Sequence, residues 1–123
     1  MTVESLVEYL QDRAGGHLRG VVRYDGSGFD VVYVRDGLDG DAFRARVSNI
    51  HESIVGQPAA EIGDETFGKA YATLSVRKHA VVLNFRREPR SGILVGLDPE
   101  AARQLVAFIH ESMERGLPEG SPA

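Results

Sequence analysis

Two runs rich in valine and aromatic residues, Leu18 to Asp25 and Phe29 to Arg35, meet at Asp25-Gly26-Ser27-Gly28. That junction supplies residues tolerant of positive φ, so the spacing predicts an antiparallel hairpin. Side chains alternate along a strand, which puts Phe29, Val31 and Tyr33 on one face and Val32 and Val34 on the other. A strand that is apolar on both faces has to be covered on both. The chain must therefore supply helices for each side of a sheet.

Three segments have the required period. Val3, Leu6, Val7, Leu10 and Ala14 form one helical stripe, with Thr2 as a cap, Gly15-Gly16 as a stop, and Glu4, Glu8 and Asp12 on the solvated side. Asp39 is the expected N-cap of a second helix, in which Leu38 and Phe43 staple the start and Val47, Ile50 and Ile54 continue the stripe to Gly56. Asp98 is the expected cap of a third, with Pro99 at its first position and Ala102, Leu105, Val106, Ile109 and Met113 as the buried stripe. Gly116 and Pro118 end it. Further strands are predicted over Tyr71–Val76, Ala80–Phe85 and Ile93–Leu97, with a loop from Arg87 to Gly92.

The resulting order is α-β-β-α-β-β-β-α. It predicts an α+β fold, a five-stranded and mainly antiparallel sheet with helices on both faces. With 123 residues, 42% hydrophobic and 26% charged, the composition suits one globular domain over residues 1–116. The stretch 57–66 reads as a mobile surface connector and 117–123 as a flexible tail. The absence of cysteine removes disulfides, zinc–thiolate sites and thiol nucleophiles together. The start Met1-Thr2-Val3-Glu4-Ser5 has no signal-peptide pattern and no apolar run is long enough to span a membrane, so a cytoplasmic location is expected. A net charge of −4 speaks against nucleic acid or anionic membrane as a partner.

The element order resembles that of the profilin-like and roadblock/longin domains over about residues 2–116. The resemblance implies a middle helix on one sheet face and the terminal helices on the other. By analogy it also implies scaffolding or the regulation of a small GTPase, although fold does not fix function. The segments Thr2-Val3-Glu4-Ser5-Leu6-Val7-Glu8-Tyr9-Leu10, Leu18-Arg19-Gly20-Val21-Val22-Arg23-Tyr24-Asp25 and Leu97-Asp98-Pro99-Glu100-Ala101-Ala102-Arg103 resemble a family of small haloarchaeal proteins. That resemblance implies a salt-rich cytoplasm and carries over no activity.

Candidate site residues are few. His51-Glu52 and His110-Glu111 diverge by about 100° around a helix, unlike ligands spaced one turn apart, and are read as solvent-facing. Arg77-Lys78-His79 and the set Arg86, Arg87 and Arg90 flank one strand as two separate basic clusters. The first reads as a solvated turn, and the second as the better match to an acidic partner. The fourteen glycines form no phosphate-binding fingerprint, and no metal or cofactor is expected. Three functions follow as expectations. The first is a non-catalytic interaction module, a homodimer or a binder of another protein, using Phe43, Val47 and Ile50 and a sheet edge. The second is a small-molecule sensor with a pocket near Tyr33, Tyr71 and Asn84. The third is an enzyme that would need His79 to meet Glu88 or Glu65.

Overall fold

In a computed structural model describing residues 3–56, 68, 72–88 and 90–116, helix α1 (Val3–Ala14) keeps Val3, Leu6, Val7, Leu10 and Ala14 half-buried and exposes Glu4, Glu8 and Asp12. Gly15, at φ +56°, ends it in the left-handed conformation that a side chain would disfavour. Strands β1 (Leu18–Tyr24) and β2 (Phe29–Val34) form the expected hairpin. Asp25 fixes its turn by accepting hydrogen bonds from the N–H groups of Ser27 and Gly28 at 2.8 and 3.1 Å. Helix α2 (Gly40–Gly56) begins where Asp39 Oδ1 accepts the N–H groups of Asp41 and Ala42 at 2.9 and 3.2 Å. Strands β3 (Ala72–Val76), β4 (Val81–Glu88) and β5 (Ser91–Leu97) follow, then a 3-10 turn (Pro99–Ala102) and helix α3 (Arg103–Gly116). The 57–66 connector, Tyr71 and the 117–123 tail lie outside the described residues. Among the described residues no helix is long and apolar enough to cross a membrane.

The sheet is antiparallel throughout, in the order β2-β1-β5-β4-β3. Alternation on its central strands builds two cores. Val22, Tyr24 and Leu94 pack with Val47 of α2, joined by Phe43, Ile50 and Ile54. On the opposite face Leu18, Val21 and Val95 pack against Val7, Leu10 and Ala14 of α1. Each buried Val or Leu contributes roughly 1.5–3 kcal/mol through apolar surface removed from water.

The structure corrects four local expectations. Val32 is an extra residue in β2, because Val21 pairs with Tyr33 while Val22 pairs with Val31. This bulge breaks the alternation, so Phe29 and Val31 face α2 whereas Val32 and Tyr33 both pack on the α1 side. The expected loop from Arg87 to Gly92 is largely strand, with Arg86 paired to Gly92 and Glu88 to Ser91. Asp98 makes no side-chain cap to the turn that follows it; its carboxylate is taken by arginines. Ala102 at the end of the 3-10 turn and Val106, Ile109 and Met113 of α3 are half-buried, but Leu105 remains 42% exposed.

Candidate functional site

Gly20 of β1 and Gly96 of β5 are paired neighbours at the centre of the sheet. Without side chains there, the sheet surface sinks beneath the first half of α2. A methyl group at Gly20 would run into the Phe43 ring, whose Cε1 would lie 2.8 Å away, so the ring rests directly on the strand backbone. A methyl group at Gly96 would meet nothing closer than Arg19 Cβ at 3.7 Å. The space above Gly96 is therefore open. It belongs to a groove of about 460 Å³ between α2 and the sheet, within the range of roughly 300–1,000 Å³ that accommodates small ligands.

Val22, Phe43, Val47, Ile50, Val82 and Leu94 form the apolar floor and wall, and Arg19, Arg46, Arg77, Lys78 and His79 the rim. No carboxylate lines this groove among the described residues, and Asn49 adds an amide to the rim. Arg46, Arg77 and Lys78 are exposed and have no ion-pair partner among those residues. Arg77 is steered by a hydrogen bond from its Nε to Ser75 Oγ at 3.3 Å.

Arg19 connects this rim to a second polar cluster. Its Nη1 donates to Asp98 Oδ1 at 3.0 Å, while Arg35 Nη1 donates to Asp98 Oδ2 at 2.7 Å and to the Gly16 carbonyl at 2.8 Å. His17 Nδ1 lies 3.5 Å from Asp98 Oδ2. Hydrogen bonding from Arg35, reinforced by Arg19, holds the Asp98 carboxyl below the usual aspartate range, and the same pairing raises Arg35. His17, Asp98 and Glu100 offer ligand atoms within 4.8 Å of one another. Both Asp98 oxygens, however, already serve guanidinium groups, which would repel an incoming cation. The cluster is a structural tie between β1, β2 and the turn leading to α3.

At the opposite end of the α2 side, Tyr24 donates its hydroxyl to Asn84 Oδ1 at 2.6 Å. Gly92 makes this bond possible, since a Cβ there would sit 3.0 Å from the Tyr24 hydroxyl and against the Phe85 carbonyl. Burial raises the Tyr24 pKa against the opposing effects of Asn84 and Arg86. His51 is not solvent-facing as expected. Its Nε2 bonds the Asp25 carbonyl at 2.6 Å and its ring packs against Tyr24 and Phe29, so it fastens α2 to the β1–β2 hairpin. A larger depression of about 840 Å³ lies between the start of α1 and the β1–β2 hairpin, and three of its four charged side chains are engaged nearby: Arg23 pairs with Asp30 at 3.5 Å and Asp25 with its own turn, which leaves Glu4.

The sequence-predicted residues are redistributed. Phe43, Val47 and Ile50, expected to meet a partner, turn toward the sheet and become the groove wall. Tyr33 and Asn84 are not brought together, because the β2 bulge carries Tyr33 to the α1 face while Asn84 bonds Tyr24 on the other. Arg86 has its Nε buried without a hydrogen-bond partner among the described residues, and Arg90 lies exposed beside Gly26; the side chain of Arg87 lies outside the description. His79 and Glu88 stand at opposite ends of β4, roughly 25 Å apart at strand rise, and Glu65 is outside the described residues. Sequence reasoning treated Arg77-Lys78-His79 as a solvated turn and overlooked Gly20, Gly96 and Arg19. The signal for the glycines was their place within valine-rich strands, where a missing side chain marks either a close approach, as at Gly20, or an opening, as at Gly96.

A helix lying over a glycine-floored sheet, with a cationic rim around an apolar trough, defines an α+β domain with a ligand-sized groove. The chain belongs to the DUF7522 family, a domain of unknown function whose model matches residues 4–115. No curated protein and no solved structure matches it.

Proposed function

We propose that this is a non-catalytic regulatory domain that binds a small molecule in the groove between α2 and the sheet. The observation that carries this reading is the open space above Gly96, which extends a ligand-sized apolar groove over the sheet beside the point where Phe43 rests on Gly20. The resemblance of the element order to roadblock and profilin-like domains fits a regulatory role as analogy. No nucleophile with an adjacent base lines the groove among the described residues, so binding rather than turnover is the better account.

A metabolite panel followed by methyl NMR tests the reading. A ligand of the groove shifts Val22, Val82 and Leu94 together, and Gly96→Val, which fills the open space, abolishes those shifts while circular dichroism stays native. Failure of every compound to move these methyls refutes it. Light scattering on the same samples reads the second mode of action, self-association. That mode is favoured by the sheet edge β3, where Ala72, Thr73 and Leu74 are exposed, Leu74 by 39%, with no charge or proline to guard the strand. A strict monomer at tens of micromolar removes it.

A further inference from the structure

We infer that the groove selects a free amphipathic anion, a molecule with an acyl or similar apolar body and one carboxylate or phosphate head, and this rests on the ligand-binding reading above. The selection follows from how the two kinds of lining are arranged. Seven apolar side chains, from β1, α2, β4, β5 and Ala80 just before β4, offer dispersion contacts and no hydrogen bonds. A purely polar ligand would lose its hydration there without replacement. The rim, by contrast, presents Arg46 from α2 and Arg77 and Lys78 from the β3–β4 turn, three permanent cations without an ion-pair partner among the described residues, in a protein whose net charge is −4. Concentrating unpaired positive charge at one concavity of an acidic protein attracts an anion to that place and to few others. Arg19 adds its guanidinium at the inner end, already half-satisfied by Asp98. Apart from the arginines and the lysine, only Asn49 and His79 among the described residues could read the hydrogen-bonding edge of a heteroaromatic base. This disfavours a nucleotide. A concavity of about 460 Å³ suits a single molecule rather than a bilayer surface.

Isothermal titration calorimetry of the full chain with decanoate below its micelle concentration, decanol, decyltrimethylammonium, acetate and AMP separates the terms. Decanoate is expected to bind tightest. Decanol should bind more weakly, and the ammonium compound and acetate not at all. Lys78→Gln, Arg77→Gln and Arg46→Gln, all exposed, should each weaken decanoate about two- to fivefold and leave decanol unchanged. Raising salt should weaken decanoate alone. Equal binding of decanol and decanoate overturns the anion selection and leaves the groove reading standing. Absence of binding by both overturns both. Preference for AMP, or sedimentation with phosphatidylglycerol vesicles by a protein that ignores free decanoate, overturns the assignment of ligand class.

Discussion

Gly20 reads in the sequence as a strand position and Gly92 as the end of a loop, yet both prove to be strand glycines, and what surrounds them differs. At Gly20 the obstacle is the far end of the Phe43 side chain, which can tilt; at Gly92 it is the Phe85 carbonyl of the neighbouring strand. Backbone in a paired ladder cannot give way without losing hydrogen bonds. Gly20→Ala is therefore expected to cost about 1–3 kcal/mol, typical of an overpacked core, and to narrow the groove. Gly92→Ala should cost more and also break the Tyr24–Asn84 hydrogen bond. Urea denaturation of the two variants checks the ranking, and an equal or smaller loss for Gly92→Ala would contradict it. The same comparison shows why the site was only partly legible in the sequence. A glycine in a strand announces a close approach but does not name what approaches, because that neighbour belongs to a distant part of the chain.

At the scale of elements, local chemistry was readable wherever it acts over a few residues. The Asp39 cap, the α1 stripe and the Asp25 turn all appear as expected. The β2 bulge was not readable, since an extra residue is defined only against the partner strand, and it moved Tyr33 to the other face. Asp98 was legible in position but not in partner: it holds the N-cap place before Pro99, but its carboxylate is taken by Arg19 of β1 and Arg35 just after β2. Its lowered pKa gives a pH signature. A carboxyl held below its unfolded value stabilises the fold at pH above the ordinary aspartate range, and that contribution fades as pH falls through the folded value. Asp98→Asn should cost about 1–3 kcal/mol at neutral pH by weakening its charged hydrogen bonds. The gap from the wild type should close on acidification, leaving the variant with the flatter acid limb in thermal melts. A gap that stays constant down to strongly acid pH would contradict this account.

For the whole molecule, the fold class was legible because a strand apolar on both faces demands covering on both, and the α1 and α2 cores meet that demand. What the order of elements could not disclose is that covering need not mean filling: α2 sets Phe43 on Gly20 but leaves the space above Gly96 open. The division into two cores has a kinetic consequence. Among the described residues the clusters share no side chains, only the backbone of the sheet, in which β1 and β5 are interior strands. One layer can then loosen without dissolving the other, so opening should proceed in separable cooperative units. In native-state hydrogen exchange, the amides of Val21, Val22, Leu94 and Val95 should be protected to the level of global unfolding, with those of α1 and α2 released earlier and independently of each other. A protein built this way can let its groove breathe while the opposite layer keeps the chain folded.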